Sequence, residues 1–172
     1  MRGVWLSGVV GACVMLGACA GGEATAPSLK IDAKTYTAQG QESRVRYIIV
    51  HYTALNFERS VHELTKGSVS SHYLISDDAK GTIYQLVDEN RRAWHAGQSS
   101  WRGETALNSA SIGIEIVNAG GGEARNPGQF APFTPAQRDN AIALIADIAR
   151  RHELAPHRII GHGEIAPMRR VD

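Results

Sequence analysis

Two histidines stand where this 172-residue chain could do chemistry. His51 sits near the end of the apolar run from Tyr47 to Tyr52, and His162 directly follows the run from Arg158 to Gly161. Side chains at the C-terminal ends of strands commonly project into a cleft beyond the sheet edge. Asp172 comes ten residues after His162. Two imidazoles and a carboxylate would hold a tetrahedral zinc ion and leave its fourth position open to water. Separation along a chain says nothing about proximity, however, and scattered histidines are often satisfied core or surface residues, so spacing alone leaves both readings open. Glu115 is the second chemical feature. It interrupts the apolar run Ile112-Gly113-Ile114-Glu115-Ile116, where a buried carboxylate needs a partner. A salt bridge on an edge strand and an acid–base role both fit it.

The elements that must position these residues read as an α/β domain. Tyr47 to Tyr52 has the composition of a buried strand. Phe57, Val61 and Leu64 recur at helical spacing and predict a short amphipathic helix. The runs His72 to Ser76 and Thr82 to Val87 flank Asp77-Asp78-Ala79-Lys80-Gly81, which predicts a hairpin and therefore an antiparallel pair. Residues 88 to 110 contain few β-branched residues but hold Trp94, His95 and Trp101, the pattern of an ordered functional loop. Strand character returns from Ser111 to Val117. Thr134-Pro135-Ala136-Gln137 has the residues of a capping box with Pro at the first helical position, so a long helix is expected to run to about His152. Its expected apolar stripe is Ile142, Ile145, Ile148 and Ala149, with Arg138, Asp139, Arg150 and Arg151 left to solvent. A last short strand, Arg158 to Gly161, delivers His162. Strands interleaved with helices, one hairpin among them, predict a single domain with a central mixed β-sheet flanked by helices.

Five segments occur in an order that carries more information than any one of them. They are Ile48-Ile49-Val50-His51-Tyr52-Thr53-Ala54, Ser70-Ser71-His72-Tyr73-Leu74-Ile75, Ala93-Trp94-His95-Ala96-Gly97, Ser111-Ile112-Gly113-Ile114-Glu115 and Gly161-His162-Gly163-Glu164-Ile165-Ala166-Pro167. Together they resemble the amidase-2 family of N-acetylmuramoyl-L-alanine amidases, which includes the peptidoglycan recognition proteins, and within it the AmiD-type lipoprotein amidases. The resemblance implies hydrolysis of the amide between N-acetylmuramic acid and L-alanine in peptidoglycan and muropeptides, with one zinc ion in an open groove. Carried over by position, it places the zinc ligands at His51, His162 and Asp172 and the catalytic carboxylate at Glu115. It sets Trp94 and His95 beside the substrate groove. The alternative for that pair is a Trp94 that plugs the core and a His95 that orients the loop. His72 is expected to be structural or to support a ligand, and His62, His152 and His157 to lie on the surface.

The chain departs from the family pattern in two places. Arg170 stands where the family has Lys two residues before the Asp ligand, and a guanidinium keeps the charge needed to stabilise an oxyanion while changing its geometry. Family members also continue past the Asp with a turn and an aromatic segment, so the resemblance implies further residues after Asp172. A peptidoglycan-binding module without catalysis is the rival expectation.

Charge and targeting signals narrow the setting. Eighteen Lys and Arg balance seventeen Asp and Glu, which supplies no field for nucleic acid. Arg2 precedes an almost wholly apolar or small stretch from Val4 to Ala18, the form of an export signal and shorter than the roughly 20 residues that span a bilayer. Leu16-Gly17-Ala18-Cys19 resembles the lipobox of bacterial lipoproteins; an ordinary secretory signal cut near Ala18 or Ala20 is the alternative. The only other cysteine, Cys13, lies inside the signal, so the mature chain has no pair for an internal disulfide. The expected organisation is a signal peptide over 1–18, a Gly-, Ala- and Thr-containing tether over 19–44 and a catalytic domain over 45–172. The expected product is a monomer anchored by lipidated Cys19 to the membrane, at the outer membrane facing the periplasm.

Overall fold

The computed structural model describes residues 30–120 and 131–168. The expected signal segment, Cys19, Arg170 and Asp172 lie outside the described residues. Contacts divide the chain into a first unit ending at Gln39 and a second running from Gly40. In the first, Asp32 closes a local turn by accepting from the backbone N–H groups of Lys34 and Thr35.

The second unit is an α/β domain. Its elements are β1 (Tyr47–Tyr52), α1 (Phe57–Lys66), β2 (Tyr73–Ile75), β3 (Ile83–Gln85), α2 (Leu107–Ala110), β4 (Ser111–Ile116), α3 (Pro135–Arg151), β5 (Ile159–Gly161) and α4 (His162–Ile165). The strands form one mixed sheet in the order β3-β2-β4-β1-β5. β1 runs parallel to β4 and β5, β2 runs parallel to β4, and only β2 and β3 pair antiparallel, as the hairpin reading expects. Among the described residues no helix is long and apolar enough to cross a membrane.

Alternation along β1 divides the core. Ile48 and Val50 face the layer of α3, together with Ile112, Ile114 and Ile148. Tyr47 and Ile49 face the other way, against Ala96, Leu107 and Ile165 from the loop, α2 and α4. His51 shares that second face, so α3 is structural backing and the chemistry lies on the opposite side. α1 completes this side by burying Leu64 against Leu74 and Val117. It starts because the Asn56 side chain accepts from Arg59 N–H at 3.0 Å.

α3 begins with the expected capping box: Thr134 Oγ1 accepts from Gln137 N–H, and Gln137 Oε1 accepts from Thr134 N–H. Its apolar stripe keeps the expected Ile145, Ile148 and Ala149 but not Ile142. Ile142 is 67% exposed, whereas Gln137, Ala141 and Ile148 are buried, with Leu144 and Ile145 packed beside them. The helical period starting from the capped end selects 137, 141, 144 and 148, and the buried Gln137 amide is satisfied by donating to the Val117 carbonyl at 2.7 Å.

The end of α3 differs in part. Arg151 is exposed as expected and His152 is half-buried, and both join a polar clasp. Arg151 makes a two-pronged ion pair with Glu89, His152 bonds Glu89 at 3.0 Å and Ser43 at 2.8 Å, and Tyr73 donates to Glu89 at 2.6 Å. The Arg151 hydrogen bond, followed by those of Tyr73 and His152, holds the Glu89 carboxyl down at about 2 despite its partial burial.

Candidate active site

Parallel register places the reactive side chains in one row. His51 on β1 is directly opposite Glu115 on β4, and paired residues of parallel strands project to the same face. On the other side of β1, Val50 pairs with Gly161, and His162 is the next residue. His51 and His162 are buried, and their Nδ1 atoms stand 2.9 Å apart. Glu115 Oε1 lies 4.0 Å from the same His51 Nδ1. Segments as far as 111 residues apart thus bring three polar groups together.

These groups lie at the base of a cleft of about 310 Å³, which α1 borders with Ser60, Glu63 and Leu64. Val69 and Ser70 form another part of its wall. Trp94 is 52% exposed, with the Arg92 guanidinium 4.1 Å from its ring centre. This exposure removes the core-plug reading of Trp94. Its backbone is fixed to Ser70, since Trp94 N–H donates to Ser70 Oγ at 2.9 Å and Ser70 N–H donates to the Trp94 carbonyl.

His95 is buried while still lining the cleft. Its Nδ1 is 3.1 Å from His51 Nε2, and its Nε2 is 3.3 Å from Ser111 Oγ. Burial, reinforced by the positive potential of His51, His72 and His162 when charged, holds its pKa well below the ordinary 6.5, so the ring is neutral. Three residues hold it in place. Asn108 Oδ1 accepts from the backbone N–H groups of His95 and Ala96 at 3.0 and 2.8 Å. Ser111 meets the far ring nitrogen. Gly113 supplies the floor, because a Cβ at that position would fall 2.5 Å from His95 Cγ.

His72 braces the same strand. Its Nδ1 accepts from Gly113 N–H at 3.0 Å and its Nε2–H donates to the Arg91 carbonyl at 3.0 Å, satisfying a neutral ring. Burial lowers its pKa. His62 is exposed at 71% of its side chain, and His157 is also exposed. Asn108, Ser111 and Gly113 carried no role in the sequence reading. A glycine inside the β-branched run of β4 was a signal of close approach. The one polar side chain in α2 that would turn toward a loop had none.

Among the described residues, no three His, Cys, Asp or Glu side chains form a set that could hold a metal ion. The site therefore contributes two histidines and a neighbouring carboxylate, and the third expected ligand, Asp172, lies outside the described residues.

Comparison with known proteins gives this arrangement a context. Residues 41–172 match the family model described as Amidase_2, N-acetylmuramoyl-L-alanine amidase. The chain is 40% identical to N-acetylmuramoyl-L-alanine amidase AmiD of Escherichia coli strain K12, over 99% of this chain and 63% of that protein. It is 37% identical to 1,6-anhydro-N-acetylmuramyl-L-alanine amidase AmpD of Haemophilus influenzae, over 64% of this chain and 54% of that protein. A solved E. coli AmiD complex with anhydro-N-acetylmuramic acid-L-Ala-D-gamma-Glu-L-Lys superposes with a TM-score of 0.73 at 43% identity, covering 80% of this chain and 56% of that one. The chain thus spans somewhat less than two thirds of the length of these relatives.

Proposed function

The chain belongs to the Amidase_2 family of N-acetylmuramoyl-L-alanine amidases, and from that premise we propose that it is a zinc-dependent hydrolase of the amide between N-acetylmuramic acid and L-alanine in muropeptides. The observation that carries the proposal is the row His162, His51, Glu115, set by the end of β5 and by the neighbouring strands β1 and β4. A muropeptide of the class named in the AmiD complex is the proposed substrate, and cell-wall turnover or recycling the proposed setting.

The donor set fits zinc. Imidazole nitrogens are ordinary zinc donors, and the 2.9 Å between the two Nδ1 atoms is less than twice a zinc–nitrogen bond of about 2.0–2.1 Å, so one ion can touch both. His51 and His162 would hold it, with Asp172 as the proposed third ligand. When bound, zinc supplies Lewis-acid activation of a water molecule and of the amide carbonyl. Glu115 takes the proton from the attacking water and passes it to the departing L-alanine nitrogen, since an amide nitrogen leaves only once protonated. Its position beside His51, with a side chain only 13% exposed, keeps that proton transfer local. Arg170 offsets negative charge on the carbonyl oxygen, and the half-exposed Trp94 offers an aromatic face to the glycan or stem peptide. The export segment and Cys19 extend the proposal to a lipid-anchored envelope enzyme at the outer membrane, with the domain over 45–172 in the periplasm.

Glu115→Gln tests the reading. The variant should bind one zinc as the parent does and release stem peptide from anhydro-muropeptides about 10²- to 10⁴-fold more slowly, read by mass spectrometry. A parent protein that binds zinc and the muropeptide yet leaves the lactyl–alanine bond intact would establish the non-catalytic binding module instead.

A further inference from the structure

The direction of the hydrogen bonds that run from α2 to His51 follows from the group at their far end. The Leu107 carbonyl can only accept, and it lies 2.5 Å from Ser111 Oγ. A hydroxyl has one proton, so Ser111 spends it on Leu107 and meets His95 Nε2 as an acceptor. His95 must then carry its proton on Nε2. A neutral imidazole protonated there presents a lone pair at Nδ1, the atom 3.1 Å from His51 Nε2. His51 in turn donates from Nε2, and a neutral ring that does so carries its lone pair at Nδ1, the atom facing His162.

The opposite direction would be ruinous for ligation. Ser111 would donate to His95, His95 to His51 Nε2, and the proton of neutral His51 would sit on Nδ1, the atom nearest His162 and Glu115. Geometry guards against that reversal at each link. Ser111 follows α2 directly, where its hydroxyl reaches back four residues to a helix carbonyl. Asn108 pins the His95 backbone, and Gly113 admits the ring flat against β4.

We infer that His95 is a positioning residue: anchored through Ser111 to the Leu107 carbonyl, it holds His51 as the Nε2–H tautomer and presents the Nδ1 lone pair toward His162. This deepens the proposed function, since its consequence for zinc rests on that reading, but the tautomer itself does not. The role differs from groove contact with substrate, because it acts through His51 and needs no ligand in the cleft.

Two measurements test it. Long-range ¹H–¹⁵N correlation spectra of the full chain after chelator treatment should show both His51 and His95 as Nε2–H tautomers. An Nδ1–H signature on either ring overturns the inference, whether or not the protein proves to be an amidase. The second measurement is zinc affinity by competition with a chromophoric chelator. His95→Leu removes the acceptor and should weaken zinc about 10- to 100-fold, whereas His95→Asn, which restores an acceptor near the Nδ1 position, should recover most of that loss. Equal zinc affinity in the two variants, with both folded by circular dichroism, also overturns it. A parent chain that binds no zinc defeats the proposed function and leaves the spectra to decide the tautomer.

Discussion

Replacing Gly113 by Ala adds one methyl group at the point where β4 meets His95. That methyl carbon would stand 2.5 Å from His95 Cγ and 2.7 Å from Cδ2 and Nδ1. Carbon atoms rest at about 3.5–4.0 Å, so the ring must retreat by about 1 Å. The strand cannot yield instead, because Gly113 N–H donates to His72 Nδ1 and the Gly113 carbonyl accepts from His72 N–H. Overpacking of this kind costs about 1–3 kcal/mol. A retreat of the buried ring also weakens its bonds to His51 and Ser111, adding about 1–3 kcal/mol. The reduced freedom of the unfolded chain on going from Gly to Ala returns about 0.4–1 kcal/mol. The net expectation is a loss of about 2–4 kcal/mol. Urea denaturation followed by circular dichroism should register it as a fall in midpoint of about 1–2 M, given slopes of about 1–3 kcal/mol per molar urea. The cause is checked by repeating the substitution in a His95→Ala background, where the ring is gone and most of the penalty should vanish. A single-variant loss below about 0.5 kcal/mol, or an undiminished loss in the second background, would refute the reasoning.

The remaining predictions concern the cleft, the polar clasp and the anchor. Trp94→Ala should raise KM for muropeptides about 3- to 10-fold with kcat little changed, since Trp94 is half exposed and its backbone bonds Ser70 of the cleft wall; steady-state kinetics that show an unaltered KM would remove it from substrate binding. The Glu89 carboxyl titrates at about 2 when folded, below its ordinary 4.5, so its contribution to stability is complete above about 4.5 and is lost as pH falls toward 2. The stability gap between the parent and Glu89→Gln, from urea titrations at several pH values, should therefore be flat near neutrality and shrink below pH 4.5; a constant gap throughout would show that the clasp does not depend on this charge. Cys19→Ser should move the protein from the membrane pellet to the soluble fraction of fractionated cells, and continued sedimentation with membranes would count against lipid anchoring at that residue.

Much of the architecture was legible because it is written in local chemistry. The apolar run of β1, the Asp- and Gly-containing hairpin turn and the Thr134–Gln137 capping box each depend on residues a few positions apart, and the elements form where those residues predict. Where a reading required knowledge of the partner surface, it was less complete. Ile142 looks as apolar as Ile148, yet only contact with the sheet decides which of them is buried. His152 reads as a surface residue until Glu89, 63 positions away, is brought alongside, and the exposed Arg151 finds its partner in that same distant carboxylate.

The same division runs through the site. His51, Glu115 and His162 were identifiable by type and by position in their runs, and the five ordered segments pointed to the family. Their meeting, by contrast, is a property of strand register. A slip of one residue between β1 and β4 would turn Glu115 away from His51, because alternate residues face opposite sides of a sheet. His95 shows the division most sharply. Sequence placed it on a loop beside the groove, and only packing against Gly113, Ser111 and His51 turns that loop residue into the link between a helix carbonyl and a ring nitrogen. Residue types determined which groups could bind metal and move protons, because that capacity is intrinsic to an imidazole or a carboxylate. Tertiary structure decided which nitrogen faces which, because hydrogen-bond direction is set only when donors and acceptors from distant segments are held together.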